Sequence, residues 1–226
     1  MPHRREFLTQ LSVAAAAIAF DADEMRAASA ASVTTSESPW DTSWLDRLAA
    51  AQYRVVFNAS DIADGAAMDY AAGFLDGYRE VHGTTDAQTR AVIVFRRLGT
   101  VMALNDMLWE KYNIGEDRKI NDSSTHAPAK RNIFWKAGPK ASPEAASDKI
   151  ETLHQRSMIS LVCAIAAGNV ARGFAERSGR PVDEVRDEVK ANLVPGRDPR
   201  SVRHLRAHSR AECRLRLHAG NVTSPY

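Results

Sequence analysis

Ser157-Met-Ile-Ser-Leu-Val-Cys163-Ala-Ile-Ala-Ala-Gly-Asn-Val-Ala-Arg-Gly-Phe-Ala-Glu-Arg-Ser-Gly179 changes its period part-way along. Up to Cys163 it is an unbroken apolar run of strand length. Beyond it Ile165, Val170 and Phe174 recur at roughly helical spacing, and Gly179 is a stop signal. Cys163 is therefore expected where a buried strand becomes a helix. Open parallel sheets bind ligands beyond the carboxyl ends of their strands, and a helix amino terminus favours an anion there, a thiolate included. Cys163 is thus a candidate reactive thiol. The competing reading is an inert small apolar filler, because free cysteine is among the most buried residue types.

Working outward, the same alternation of strand and helix recurs. Trp40 to Ala51 reads as a short helix, and Tyr53-Arg-Val-Val-Phe57 as a strand ending in the turn signal Asn58-Ala-Ser-Asp61. From Ala63 to Val81 the positions Ala67, Tyr70, Ala71, Phe74, Tyr78 and Val81 form one apolar face, and Gly83 ends the helix. Arg90-Ala-Val-Ile-Val-Phe95 is apolar without alternation, as in a strand covered on both faces. Arg96-Arg97-Leu98-Gly99-Thr100 then leads into a second helix carrying Val101, Leu104, Leu108 and Tyr112. Repetition of the unit predicts a parallel sheet with right-handed crossovers. Asn113 to Ser147 is a long polar loop with the aromatic island Ile133-Phe134-Trp135, which marks a lid or a subunit contact. Asp148 to Arg156 and Val182 to Asn192 read as short helices, the second stopped by Pro195-Gly196.

At 226 residues the chain suits one substantial core with an export segment and a tail. Only Cys163 and Cys213 are present, too few for a disulfide framework and in no metal-ligand spacing. No run approaches the roughly 20 apolar residues that a membrane span needs. Residues 1–30 combine Arg4-Arg5, Phe7-Leu8 and the alanine-rich run to Phe20, with Ala28-Ser29-Ala30 as a cleavage site. They read as a twin-arginine export signal, so the export machinery is an expected partner and the periplasm, or another exported location, the destination. The competing reading is an amphipathic helix that stays attached. Residues 31–52 are a linker and the short helix.

Val55-Val-Phe-Asn58, Gly77-Tyr78-Arg-Glu-Val-His-Gly83, Val92-Ile-Val-Phe-Arg96, Leu104-Asn105-Asp106 with Trp109-Glu110-Lys111-Tyr112, Leu161-Val-Cys163 and Asn192-Leu-Val-Pro-Gly196 together resemble the DsrE/DsrF-like superfamily, in particular an exported branch. The resemblance covers residues 53–196. It implies a three-layer α/β/α fold around a mostly parallel sheet, and homo-oligomers, trimers or hexamers. In the cytoplasmic sulfur-relay members a cysteine at the position of Cys163 carries a persulfide. Members of the exported branch usually have Arg-His where this chain has Arg96-Arg97.

The resemblance stops at Arg197. From there to Tyr226 arginine recurs with neither a strand nor a helix face, where the family continues with a strand, a Pro-Ser-Gly turn, a helix and a closing strand. Skipping one base after the Gly196 codon, with permitted codons, restores that order. Residues 197–226 are therefore read as an out-of-frame tail and not as a nucleic-acid arm, and the fold as incomplete at its carboxyl end. Losing two strands from a sheet of about five exposes an edge. An evolved basic tail is the alternative.

The candidate ligand-binding residues are Arg96, Arg97, Asn58 and Asn105, beside Cys163; solvated strand-end charges and a helix cap are the duller readings. No metal site, cofactor motif, phosphate loop or nucleophile elbow is present. Two functions follow: binding of a small molecule or partner at the strand ends, or handling of sulfur on Cys163.

Overall fold

The computed structural model describes residues 43–195 and the backbone of Val202–Leu205. The export signal with Arg4, Arg5, Phe7 and Leu8, and Cys213, lie outside the described residues. In chain order the elements are α1 (Ser43–Ala49), β1 (Tyr53–Ala59), α2 (Ala66–His82, entered through a 3-10 turn), β2 (Thr89–Phe95) and a 3-10 segment over Arg97–Ala103. Then come α3 (Asp106–Lys111), α4 (Ile114–Arg118), the ribbon of β3 (Asn121–Asp122) and β4 (Ala127–Pro128), α5 (Pro143–Ala146) and α6 (Ile150–Gln155). Finally β5 (Ile159–Cys163) leads into α7 (Ala164–Ser178), followed by α8 (Val182–Ala191) and β6 (Val202–Leu205).

This is an α/β fold with a parallel sheet in the order β1-β2-β5-β6. Side chains alternate across it. Ala91, Ile93, Phe95 and Val162 enter the larger core with Met68, Leu75, Trp109, Phe174 and Val185 from the helices. Val92, Ile159 and Leu161 point the other way and meet Trp44 and Leu48 of α1, with Val56 and Val94 half-buried beside them. Both faces of β2 and β5 are apolar because both are covered. Trp44 is buried, so the packed unit includes α1, ahead of Tyr53.

Several expectations are refined or corrected. The apolar stripe of α2 meets the core only in part: Ala71 is buried beside Met68, Ala72 and Leu75, and Ala67 and Phe74 pack against the core, while Tyr70 is 65% and Val81 74% exposed. Alanines at 71 and 72 let the helix approach the sheet, and the aromatic stripe turns toward β1 instead, with Tyr53 over Tyr78 (centroids 4.6 Å apart) and Phe57 near Tyr70 (6.3 Å). In α7, likewise, the buried face is Ala166, Ala167, Ala171 and Phe174, and Ile165 is exposed.

The helix expected after Arg96 is broken. Leu104 is extended and pairs with Leu193, and Asn105 starts a new helix. The stretch 113–147 is not a long loop: it holds two short helices and a ribbon, pinned by the buried Asn132. That side chain donates to the carbonyls of Met102 (2.7 Å) and Leu104 (2.6 Å) and accepts from the amides of Phe134 (3.0 Å) and Trp135 (3.2 Å). Phe134 is thereby seated in the core against Trp109, where it serves this chain's own packing. Lastly, the tail does contain a strand, since Val202–Leu205 runs parallel to β5 with Ser160 opposite Val202. Backbone pairing needs only extended chain and an open edge, whatever the side chains are.

Candidate functional site

The carboxyl ends of β1, β2 and β5 lie side by side. Ala59 pairs with Phe95 and Phe95 with Val162, so the positions of Arg96 and Cys163 are neighbours one step beyond the last registered pair. The amide of Arg96 donates to the carbonyl of Ala59 at 3.0 Å, which clamps the exit of β2 onto the end of β1. Arg97 follows with φ +49°, in the left-handed region, and Gly99 then passes so close to β1 that a Cβ there would stand 2.2 Å from the Ala59 carbonyl oxygen. That contact is why the Arg-Arg-Leu-Gly turn needs its glycine.

Cys163 is the last residue of β5 and the N-cap of the fifteen-residue α7, as its sequence context predicts, with a free, half-buried thiol. Arg96 is half-buried and Arg97 exposed. Arg156 is at the opposite end of β5, with its guanidinium 2.8 Å from Asp76 of α2. Asn58 lies within β1 and not in the turn, because the strand runs on to Ala59. Asn105 is built into the scaffold: its side chain caps α3 by accepting from Leu108 N (3.2 Å) and donates to Asn192 Oδ1 (2.9 Å). The strand ends thus gather Arg96, Arg97 and Cys163, whereas Asn105 is spent on joining α3 to the end of α8.

A cleft of about 530 Å³ opens beside these strand ends. Its walls are the β1–α2 turn (Asp61 to Asp64), Leu98 in the turn after β2, and Asp117 to Asn121, with Ile133 and Phe134 contributed by the pinned segment. The lining joins an apolar floor, Ile62, Ile120, Ile133 and Phe134, to a rim carrying Asp61, Asp64, Arg118 and Lys119. Ala63 (φ +40°), Asp64 (+51°) and Lys119 (+56°) all hold left-handed backbone, a conformation that non-glycine residues keep only where their surroundings enforce it. Arg118 is turned toward Asp117, 3.1 Å away. Cys163 is not part of this lining. A second cleft, about 340 Å³, lies between α3, α4 and α7 and is bordered by Lys111, Tyr112 and Arg177.

Two polar clusters were not visible in the sequence. His154 is buried in α6 with Nε2 2.8 Å from the Ser160 hydroxyl on β5. Burial drives its imidazole down to about 4, against the opposing pull of the Pro195 carbonyl, so it is neutral at pH 7. Glu188 of α8 accepts from Lys111, from Arg180 and from the Tyr112 hydroxyl (2.9 Å). Burial alone pushes its carboxyl up, but the three donors together outweigh it and hold the group at about 2. Neither cluster opens on the strand-end cleft, and both act as ties between elements. A lone histidine and one glutamate among many charges carry no local signal of such roles. No group of three or more histidine, cysteine or acidic residues is placed to hold a metal among the described residues. No helix among them is long and apolar enough to cross a membrane.

In comparisons with known proteins, the chain matches no family model, no curated protein and no solved structure. The chain is an α/β protein with a parallel sheet and a cleft at its strand ends.

Proposed function

We propose that this is an exported, DsrE-like binding protein that holds a small molecule in the cleft bounded by the β1–α2 turn, Leu98 and the Asp117–Asn121 stretch. The observation that carries this reading is the position of the cleft, at the carboxyl ends of β1 and β2 where parallel sheets take ligands, with an apolar floor and charges of both signs at the rim. A ligand with an apolar body and polar ends matches that lining. The test is a ligand-observed NMR screen of small molecules against the protein and against Leu98→Trp, whose larger side chain fills the cleft from a half-exposed position. Ligands that lose binding to the variant while its melting temperature is unchanged support the reading; ligands indifferent to the substitution sink it.

A second reading rests on Cys163 at the amino end of α7, beside the Arg96 position. An anionic persulfide there faces the positive end of the helix. The step is thiol–persulfide exchange: the Cys163 sulfur attacks the outer sulfur of a donor persulfide, forms the new S–S bond and releases the donor thiol. Sulfur taken up by the protein and lost in Cys163→Ala supports this; equal uptake by both forms removes it. Export is tested by fusing residues 1–30 to a folded reporter, with Arg4→Lys/Arg5→Lys expected to hold the fusion in the cytosol.

A further inference from the structure

The charges around the strand-end cleft are not all spent on the protein itself. Asp117 is taken up by two arginines, with Arg118 3.1 Å and Arg177 3.8 Å from its Oδ2, so it offers a ligand little net charge. Asp61 is committed through one oxygen only, Oδ1 accepting from the Ile62 amide at 2.7 Å. Asp64 and Lys119 are exposed, and among the described residues the side chain of neither enters an ion pair or a hydrogen bond. Uncommitted negative charge thus stands on the β1–α2 turn, and uncommitted positive charge on the Asp117–Asn121 stretch.

Each sign also suits the helix end where it sits, Asp64 ahead of α2 and Lys119 after α4. That accounts for the signs and not for their meeting over one apolar floor. Ile62, Ile120 and Ile133 of that floor are packed against the core and still line the cleft, as does Phe134. The floor supplies burial for apolar groups, and the two walls select the charges at their ends.

We infer that the ligand of this cleft is a short peptide with apolar side chains and both ends free, its ammonium at Asp61 and Asp64 and its carboxylate at Lys119. The inference rests on the cleft being the binding site. Uncommitted groups of both signs match a zwitterion, whereas a fatty acid or an alkyl amine brings one charge and leaves the other wall unanswered. Asp64 and Lys119 stand too far apart to pair with each other. An α-amino acid, with both charges on one carbon, cannot serve both walls, but a peptide separates the same charges along its chain. Size agrees. Taken as a cube, 530 Å³ is about 8 Å on an edge, and two or three extended residues span about 7 to 10 Å. Because the rim charges are exposed, the floor supplies most of the affinity and the charged ends the discrimination.

The test is calorimetric titration of the full chain with Leu-Leu and Leu-Leu-Leu, with N-acetyl and C-amide forms of each, and with free leucine. The free peptides are expected to bind, blocking either end to weaken binding about fivefold, the scale of one exposed ion pair, and leucine to bind more weakly than any of them. Two variants assign the ends. Asp61→Asn/Asp64→Asn keeps the acceptor for the Ile62 amide and suits the left-handed backbone at 64. It is expected to abolish the penalty for acetylation and to leave that for amidation; Lys119→Gln is expected to do the reverse. Should the double variant fail to fold, Lys119→Gln decides alone. Blocked peptides that bind as well as free ones, penalties that survive both variants, or leucine equal to the peptides overturn the inference. Peptides that fail to bind overturn it as well. The Leu98→Trp screen then separates the two readings: other ligands that depend on Leu98 leave the cleft as the site and remove only the peptide, and none at all removes both.

Discussion

Gly99 and Asn132 carry more of this structure than their size implies. A methyl group on Gly99 has the Ala59 carbonyl oxygen 2.2 Å away, backbone that cannot swing aside. Gly99→Ala is therefore expected to cost about 3 kcal/mol, the upper range for forcing atoms into a packed site, measured as a lower urea midpoint with unchanged slope. Asn132 saturates its side chain with four backbone partners inside the core. Asn132→Asp keeps the shape but sets a carboxyl oxygen against the Met102 and Leu104 carbonyls, so it is expected to cost at least as much as Asn132→Ala, about 3 kcal/mol or more. If the aspartate variant unfolds at the parental urea concentration, Asn132 is not the pin.

His154 gives a pH signature of its own. Its imidazole titrates near 4 when folded and near 6.5 when unfolded, so the unfolded chain takes up the proton first as pH falls. The contribution of neutral His154 is whole above about pH 6.5 and is lost progressively toward pH 4, for a total of about 3 kcal/mol. Unfolding free energy measured between pH 7 and 4 is expected to show that slope, and His154→Gln to flatten it. An equal slope in the variant contradicts the assignment.

Among elements, the one most dependent on polar ties is α8. Glu188 links it to Lys111 and Tyr112 of the α3 region and to Arg180, and the end of α8 meets Asn105 through Asn192. The Glu188 carboxyl is held at about 2, below its unfolded value of 4.5, so its share of stability is present above about pH 4.5 and disappears as pH falls toward 2. This window lies below that of His154. Glu188→Gln is expected to remove the acid-limb loss and to speed amide exchange in Val182–Ala191 ahead of α7; exchange that rises equally in both helices means that α8 is not separately anchored.

The strands β1, β2 and β5 and the helices α2, α6 and α7 were legible in the sequence, because periodicity is a property of neighbouring residues, whereas the short helices and ribbon between 113 and 147 were not. The break at Leu104 was not, since it depends on Asn132, 28 residues further on. The stripe on α2 was legible as a stripe but its cover was not, because sequence period shows that a face is apolar and not which segment covers it.

At the scale of the whole molecule, the sheet has two edges of different kinds. β5 is covered on its outer side by the backbone of Val202–Leu205, while β1 is bounded by no described strand. Ending the chain after Pro195 removes β6 and exposes the buried β5 edge, so the truncated protein is expected to lose solubility and to unfold at lower denaturant than the full chain. Equal stability means that β6 contributes nothing. The out-of-frame reading of residues 197–226 is checked separately by sequencing the DNA around the Gly196 codon. A single-base shift that yields the strand, Pro-Ser-Gly turn and closing strand supports it, and a gene whose codons cannot encode them excludes it.

By itself the sequence determined the alternating strands and helices, the parallel α/β class, and the place of Cys163 where β5 becomes α7, since each is written in residues a few positions apart. Only the tertiary structure decided which face of α2 meets the core, that Asn105 is scaffold, that Phe134 helps to wall the cleft, and that β1 is left as an edge. Those depend on which distant segments arrive to cover a surface, and an apolar pattern is the same whether its cover comes from its own chain or from another.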